Sequence, residues 1–513
     1  AHAAELAHHF VEAEAVAGLD KLVHYSLLAG ERALSIYAHE EALAHFLRAL
    51  VAKEGQPIDA ETADLLFGLG RAQAATLDRL ELAEALVTLR RAFEYYAEVG
   101  DLVHAVRVAE YPLPAAAGHL KETTQLIARA LALVPPDSRE AGSLLSHHGR
   151  ALVMTEGDYE GAQEAFGQAM AIAQREGDET LERRTLVFAA QAEHIHLHYQ
   201  ACVEMNLRAI EQARQADDPN TEVYARFFAA YILMALGDFE GARRHASAML
   251  PVAERLHNRY WLAAALGING SVSQREGDWQ AARDFSDRGL EVSPMEGRLL
   301  IDRVLLEHEV GEFARGEAHL KSLVEAMELT KPGPTQEYAL TALVIPIIAR
   351  ISGLAERIDV AEAAAQTVLS APLAQPNFAL QARIGLAMIA VQQGNVVAAE
   401  EQYPALEPQR GTMAVVGCVC MDRLLGILSQ TVGNLQQATS HFDDSLAFCR
   451  RIGARPELAW TCCDYADALL HRNNPGDRER AMSLLDESLA ISTELGMRPL
   501  LERGLSRRDI LKA

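Results

Sequence analysis

The hydrophobic and polar positions of the chain follow one phrase that recurs along most of its length. The phrase is a glycine, a polar residue and an aromatic residue, followed by an alanine, a large apolar residue and a second small residue. Its clearest copy runs from Gly157 to Ala169, with Tyr159 as the aromatic residue and Phe166 as the large one. A degenerate copy has Leu197 in place of the glycine. Other copies begin at Gly237, Gly277, Gly311, Gly394, Gly433 and Gly476.

Each position of the phrase has a physical role in a helical hairpin. A glycine in the left-handed conformation ends one helix and satisfies its last carbonyl groups. The Asp or Asn that follows caps the next helix. The alanine and the residue four positions later share one helix face, so that a small side chain lets two helices approach while a large one fills the gap. Each copy therefore predicts a hairpin that buries its apolar face only by stacking on its neighbours.

The spacing of the copies predicts a solenoid. The glycines at 157, 237 and 277 are 80 and 40 residues apart, and the degenerate copy lies midway in the longer interval. Later intervals are 34, 39 and 43 residues. The phrase resembles the tetratricopeptide-repeat signature over about residues 22–491. This resemblance implies an all-α, right-handed superhelical solenoid of about eleven repeats.

The segments that flank the repeats resemble parts of large bacterial signalling ATPases. Residues 2–10 and 27–33 are similar to the segment that follows the ATPase module in such proteins, and residues 495–513 are similar to the stretch before a LuxR-type helix-turn-helix domain. The resemblance implies the layout of the maltose-regulon activator, with a nucleotide-switch ATPase, a superhelical sensor arm and a DNA-binding end. Some relatives carry an adenylate cyclase domain instead. We predict an N-terminal helical lead-in from an upstream module over residues 1–21, the solenoid over 22–491, and a C-terminal capping helix and linker over 492–513.

Composition narrows the class of protein further. The chain has 47 Lys and Arg residues against 71 Asp and Glu residues, a formal net charge of −24, which disfavours direct binding of nucleic acid. Its six cysteines are too few for a disulfide framework, and we interpret them as reduced packing residues of a cytoplasmic protein. No apolar run is long enough to span a membrane, and no signal-peptide pattern opens the chain.

Motifs for catalysis and cofactor binding are missing from the sequence. It has no phosphate-cradling loop, no nucleophile elbow and no His-Glu-x-x-His zinc motif, so we predict a protein that is not an enzyme and needs no cofactor. His194 and His198 would share one face of a continuous helix and could ligate a divalent metal there. The alternative is that they straddle a helix end. We favour the interpretation that the two histidines straddle a helix end, because no Cys or carboxylate ligand for a metal lies nearby in the sequence.

A ligand site is predicted on the first helices of consecutive hairpins, which line the concave face of such solenoids. The three aromatic residues of the proposed site have the i, i+3, i+7 spacing of a single helix stripe. Its two arginines come from the next two hairpins and could bind an anionic group. The alternative is that the aromatic rings pack between neighbouring hairpins. The predicted contact residues are Tyr224, Phe227, Tyr231, Gln274, Arg275 and Arg298.

Two functional hypotheses follow from these expectations. The first is the sensor arm of a signalling ATPase or transcription regulator, which binds a small-molecule effector, a peptide or a regulatory protein on its concave face. The second is a free-standing scaffold for proteins or peptides. Both are non-catalytic, and neither requires direct contact with nucleic acid or a membrane.

Overall fold

The computed structural model describes residues 19–111, 113, 120–155, 157–372 and 374–512. Over these residues the chain is almost entirely helical, and the only β pairing is an isolated bridge between Met413 and Cys420. The predicted all-α class is thus confirmed. Most of the predicted lead-in segment lies outside the described residues.

The described ranges contain 25 α-helices, joined by short turns. In chain order they are α1 (Leu19–Ser35), α2 (His39–Ala52), α3 (Ala60–Thr76), α4 (Leu82–Val99), α5 (Leu102–Ala109), α6 (Leu120–Leu131), α7 (Arg139–Thr155), α8 (Tyr159–Glu176), α9 (Glu179–Ile195), α10 (Tyr199–Gln215), α11 (Pro219–Leu236), α12 (Phe239–Leu256), α13 (Arg259–Glu276), α14 (Trp279–Val292), α15 (Gly297–Glu309), α16 (Phe313–Glu328), α17 (Gln336–Ser352), α18 (Ile358–Leu369), α19 (Pro376–Gln393), α20 (Val396–Leu406), α21 (Met421–Val432), α22 (Leu435–Ile452), α23 (Arg455–Arg472), α24 (Asp477–Leu495) and α25 (Arg498–Lys512). Helices such as α3 and α4, α7 and α8, and α21 and α22 pack against each other as hairpins. The predicted count of eleven repeats is not confirmed.

The turns between helices have the backbone conformation that the phrase predicts. Leu197, in the glycine position of the degenerate copy, has a φ of 64° and is left-handed like the glycines. The last copy differs, because Asn473, with a φ of 51°, ends α23 and Gly476 instead precedes the first residue of α24. The predicted helix-ending glycines Gly157, Gly237, Gly277, Gly311, Gly394 and Gly433 all have φ values between 61° and 88°.

The predicted helix caps are present as well. The side chain of Asp158 accepts a hydrogen bond from the backbone N–H of Gly161 at 2.9 Å. Asp278 accepts one from Ala281 at 3.1 Å in the same way. These bonds satisfy N–H groups that the first turn of a helix leaves without an intrahelical partner.

The helices form two compact units. Unit 1 comprises residues 1–193, 204–225 and 249–263, as far as these are described. In its core, large side chains pack against small residues, as predicted. The ring of Phe46 fills the space that a Cβ atom would need at Gly30 or Gly68. Unit 1 also joins distant helices, because the Arg259 guanidinium lies 3.1 Å from the Asp78 carboxylate.

Unit 2 comprises residues 194–203, 226–248 and 264–513. The rings of Phe442 and Tyr465 stack in its core with centroids 5.2 Å apart. It too joins distant helices, since the indole N–H of Trp279 donates to the carbonyl of Leu495 at 2.7 Å.

None of the described helices has the length and apolarity needed to cross a membrane. All six cysteines are free thiols, and five of them are buried, consistent with packing residues. The predicted domain boundaries at 21 and 492 stay predictions.

Candidate functional site

The six predicted contact residues fall into two separate groups. Tyr224 belongs to unit 1, and the other five belong to unit 2.

Three of the five residues in unit 2 form a stack. The Phe227 and Tyr231 rings lie nearly parallel, with centroids 5.5 Å apart. The Arg298 guanidinium lies 4.9 Å from the Phe227 centroid and donates to Glu296 at 3.1 Å. Phe227 is only 4% exposed. For this residue the structure therefore agrees with the alternative of packing rather than ligand contact.

The other two residues line a small cavity of about 40 Å³ in unit 2. Gln274 and Arg275 are both buried. Arg275 donates to the carbonyls of Ala414 and Val415, and to that of Ser271 at 2.9 Å. The Nη donors of Arg275 are thus used by the protein's own backbone.

A larger opening lies in unit 1, about 1310 Å³ including solvent-open space. We call it the unit 1 groove. Arginines from three first helices face it: Arg71 on α3, Arg150 on α7 and Arg184 on α9. Its lining consists of Leu34, Tyr37, His39, Arg71, Ala74, Ala75, Tyr111, Leu113, Arg150, Arg184, Val187, Phe188, Asn220, Thr221, Tyr224, Leu256, Asn258 and Trp261.

Two of these arginines have only neutral hydrogen-bond partners. Arg150 donates to the side-chain oxygen of Gln191 at 2.9 Å and to the carbonyl of Leu113 at 3.1 Å. Arg184 donates to the hydroxyl of Ser143, and its buried Nε has no acceptor. Among the described residues, no carboxylate lies within 4.0 Å of either guanidinium.

The third arginine, Arg71, has a carboxylate partner, whereas Arg150 and Arg184 have none. Arg71 pairs directly with the carboxylate of Glu31, and its guanidinium lies 4.5 Å from the Phe67 centroid. Glu110 reaches Arg184 only through the Ser143 hydroxyl, which donates to it. The groove therefore has two positive charges with no directly bound counter-charge.

The pKa of a buried histidine, His147, is affected by the positive potential of the arginines beside the groove. The pKa of His147 is well below its ordinary value because the ring is buried and because Arg184 and Arg150 repel an imidazolium. Burial also lowers the pKa of Arg184. The carboxylates of Glu110, Asp178 and Asp218 oppose this lowering of the Arg184 pKa without bonding to its guanidinium directly.

Aromatic rings form another part of the wall. The Tyr224 ring lies edge-on to Phe188 at 5.8 Å and to Trp261 at 5.4 Å between centroids. The Tyr224 hydroxyl donates to Gln191, the residue that also accepts from Arg150. Tyr224 is thus the predicted contact residue that the structure places in the unit 1 groove.

Sequence reasoning found part of this groove. The predicted contact set contains Tyr224, which lines the groove. It misses Arg150, which lies on the first helix of the clearest copy, seven residues before Gly157. An arginine with no acidic residue three or four positions away on its own helix was the available signal.

The histidine pair does not lie on one continuous helix. Helix α9 ends at Ile195, and Leu197 turns the chain before His198, so the two histidines straddle a helix end. His194 instead packs against Tyr231, with ring centroids 5.5 Å apart, and burial lowers its pKa to about 4. This outcome is the alternative favoured from the sequence.

Among the described residues, one group of three metal-capable side chains lies close together, namely Asp422, His441 and Asp444. Arg410 lies 3.7 Å from Asp422 and 3.2 Å from Asp444. Arg410 pairs with both carboxylates and His441 lies 3.3 Å from Asp422, so the group is explained as an ion-pair network.

Comparisons with known proteins give weak similarities. No family model and no curated protein matches the chain. A Rap protein solved in complex with competence and sporulation factor is 13% identical with a TM-score of 0.42, covering 70% of this chain and 99% of that one. A chain of the APC/C hetero-tetramer Cut9–Hcn1 is 14% identical with a TM-score of 0.42, covering 96% and 98%. Aspartyl phosphate phosphatase F from Bacillus subtilis is 16% identical with a TM-score of 0.33, covering 60% and 70%. Similarities this low assign neither a family nor a function to this chain.

Proposed function

We propose that this chain is a non-catalytic binding scaffold whose unit 1 groove takes an anionic effector. The observation that carries the proposal is the pair Arg150 and Arg184, two guanidinium groups without a carboxylate partner on the wall of an open groove. A charge that is desolvated and unpaired is costly, and a bound anion would supply the missing counter-charge.

The chemistry of the two arginines favours a planar, delocalised anion. A guanidinium presents its donors in a rigid fork that matches carboxylate or phosphate oxygens. In this protein the Nε of Arg184 still has a free donor for such a contact.

The walls of the groove define the rest of the ligand. Phe188, Tyr224 and Trp261 offer ring faces and edges rather than further charges. Rings of this kind pack well against flat apolar or aromatic groups. The effector class is therefore an aromatic or otherwise flat apolar acid.

The wider role is proposed from the resemblance of the flanking segments. In this role, the chain is the sensor arm of a cytoplasmic signalling ATPase or transcription regulator. Effector binding to the arm biases the nucleotide switch of the ATPase. The alternative is a free-standing scaffold for a peptide or regulatory protein. The full reading frame separates the two: an ATPase module upstream and a helix-turn-helix or cyclase domain downstream support the sensor arm, and a frame with neither supports the scaffold.

A thermal-shift series tests the groove. Benzoate, phenyl phosphate and neutral benzyl alcohol are added to the wild type, to Arg184→Gln and to the control Arg90→Gln. Arg90 is exposed and only weakly paired, 3.9 Å from Glu94, so its variant removes the same charge from the unit 1 surface. An anion at about 100 times its Kd adds about 2.7 kcal/mol of stability to the protein that binds it.

The proposal predicts that one of the two anions raises the melting temperature of the wild type and of Arg90→Gln but not of Arg184→Gln. Equal shifts with benzyl alcohol, or equal anion shifts in Arg184→Gln, contradict it. Absence of any anion effect up to 10 mM, on the order of the weakest Kd expected of a specific site, also contradicts it. If Arg184→Gln does not fold, Arg150→Gln takes its place in the series.

A further inference from the structure

A second open groove lies within unit 2, with about 480 Å³ of space that water can enter. We call it the unit 2 groove. Helices α17, α19, α21, α23 and α25 build its wall, and they contribute Arg350, Val391, Gln430, Asp464 and Arg503 respectively. Arg350 borders both this groove and the small cavity described above.

Three guanidinium groups converge on one carboxylate of this wall. Arg350 and Arg503 both approach the Oδ1 atom of Asp464, at 2.5 and 3.5 Å, while Arg423 donates to its Oδ2 atom at 3.0 Å. Arg423 has a full partner of its own, because it also forms a bidentate pair with Glu457 at 2.6 and 3.1 Å. Arginines from α17 and α25 therefore share a single carboxylate oxygen.

The positive charges at this point of the groove outnumber the negative ones. Asp467, the other carboxylate of the wall, lies 2.9 Å from Arg507 and 3.5 Å from Arg503. Within the described part of the chain, Arg350, Arg503 and Arg507 have ion pairs within 4.0 Å only with Asp464 and Asp467. Three guanidinium groups thus share two carboxylates, and one positive charge is left over.

Both arginines of the groove wall keep hydrogen-bond donors. Arg350 makes one hydrogen bond to the described residues, from Nη2 to Asp464, and its Nε has no acceptor. The contacts of Arg503 with its two carboxylates are long, at 3.5 Å each, and its Nε has no acceptor either. A guanidinium carries five N–H donors in a planar fork, so both groups can still donate to the oxygens of an anion.

The pKa of Arg350 agrees with this shortage of negative charge. Burial lowers it, Asp464 opposes the lowering, and repulsion by Arg503 and Arg423 adds to it. Burial acts in the same direction on Arg503, but Asp464 and its other neighbours outweigh it and raise the pKa. Arg350 is therefore the arginine with the weaker counter-charge, and an anion in contact with it would raise its pKa.

Neutral polar side chains line another part of the groove. The Nε2 atom of Gln430 lies 2.9 Å from Nδ1 of His471. Among the described residues, nothing bonds to the Oε1 atom of Gln430 or to Nε2 of His471. These two atoms are suited to hydrogen bonds with hydroxyl groups of a ligand.

We propose that the unit 2 groove binds a small hydroxylated organic anion, a carboxylate or a phosphate ester, between Arg350 and Arg503. The anionic oxygens would accept from the two guanidinium groups, and the ligand hydroxyls would bond to Gln430 and His471. Because the two arginines lie on α17 and α25, the bound anion would link these helices. The site is independent of the unit 1 groove, and its wall favours hydroxyl groups where the unit 1 wall favours flat rings.

Titration calorimetry with the whole chain at physiological ionic strength tests the proposal. The probes are L-malate and glycerol 3-phosphate, compared with neutral glycerol. The variant is Arg350→Gln, which leaves Asp464 with two other arginine partners. The control Arg315→Gln removes the same charge from an exposed position of α16, and Arg184→Gln separates this site from the unit 1 groove.

We expect at least one of the two anions to bind the wild type, Arg315→Gln and Arg184→Gln with the same affinity, and Arg350→Gln at least about tenfold more weakly. Equal binding of glycerol, equal binding to Arg350→Gln, a matching loss in Arg184→Gln, or no binding of either anion up to about 10 mM overturns the proposal. If Arg350→Gln does not fold, Arg503→Gln takes its place.

Hydrogen exchange tests whether the anion links the two helices. With the anion that binds, the backbone amides of α25 should exchange more slowly in the wild type, and the effect should be lost in Arg350→Gln. Exchange of α25 that is the same with and without bound anion would overturn the placement of the anion between Arg350 and Arg503.

Discussion

Gly385 lies where α19 packs against α17 in unit 2. An ideal Cβ atom on this residue would overlap the carbonyl oxygen of Ala342 and lie 2.9 Å from its carbonyl carbon. Both atoms are helix backbone, so no side-chain rotation can relieve the overlap. Gly385→Ala is therefore expected to force the two helices apart.

Two opposing contributions set the size of this effect. Overpacking a well-packed interior costs about 1–3 kcal/mol, and a rigid backbone neighbour places this site near the upper end. Alanine is favoured over glycine inside a helix by about 1 kcal/mol, which offsets part of the loss. The net loss should be about 2 kcal/mol, a fall of roughly 4 °C in Tm for a unit of this size.

Scanning calorimetry of the whole chain measures the change. The matched control is Gly167→Ala on α8, where the added Cβ meets no atom within 4 Å. That variant should melt at or slightly above the wild-type temperature, because it gains helix propensity of up to about 1 kcal/mol without a clash. A Gly385→Ala protein that melts with or above the wild type would refute the assigned packing of α17 against α19.

Four further predictions follow from the structure. Ala162→Leu should destabilise unit 1 by about 1–3 kcal/mol, since Ala162 is fully buried, and hydrogen exchange should show faster opening of α7 and α8. Asp158→Ala should remove the cap of α8 and destabilise the chain by about 1 kcal/mol, measured by urea denaturation beside an exposed Asp→Ala control. Burial raises the pKa of Asp302 to about 6, above the roughly 3.9 of the unfolded chain, so this group destabilises the fold as pH rises from about 4 to 6; Asp302→Asn should raise Tm more at pH 7 than at pH 4. Finally, the purified chain should neither hydrolyse ATP nor give a salt-resistant DNA footprint, because it lacks a phosphate-cradling loop and carries a net charge of −24.

The hairpins could be predicted because their signal is local. A left-handed turn residue, a cap and a small crossing residue all lie within about six positions of the chain, and each has a fixed chemical reason. Even Leu197, which breaks the glycine rule, takes the left-handed conformation that its position in the repeat predicts. The last copy was misplaced by three residues because Asn473 can also adopt that conformation.

The candidate sites could be predicted only in part because they depend on distant residues. The unit 1 groove joins Arg71, Arg150 and Trp261, which lie on three helices far apart in sequence. Their approach depends on the angle between successive hairpins, which the repeat phrase does not encode. The same holds for Arg350 and Arg503 of the unit 2 groove, which lie on α17 and α25.

The predicted stripe of aromatic residues shows a second reason why the site could be predicted only in part. Tyr224, Phe227 and Tyr231 have the spacing of a single helix face, yet Phe227 is buried against Arg298 while Tyr224 borders the groove. The spacing shows that the three side chains point from the same face of the helix. It does not show whether each one contacts another helix or an open groove. Similarly, Arg275 has the residue type expected of a ligand contact, but its Nη groups donate to the backbone carbonyls of Ser271, Ala414 and Val415.

Calorimetric titration of phenyl phosphate into the wild type, Arg150→Gln and Arg90→Gln tests the central claim most directly, namely that the unpaired arginines of the unit 1 groove bind an anion. The account predicts that Arg150→Gln weakens binding at least about tenfold, or about 1.4 kcal/mol, while Arg90→Gln leaves it unchanged at physiological ionic strength. An affinity that falls equally in both variants would show only the loss of a surface charge, and an affinity unchanged in Arg150→Gln would place the anion elsewhere; either result would contradict the claim.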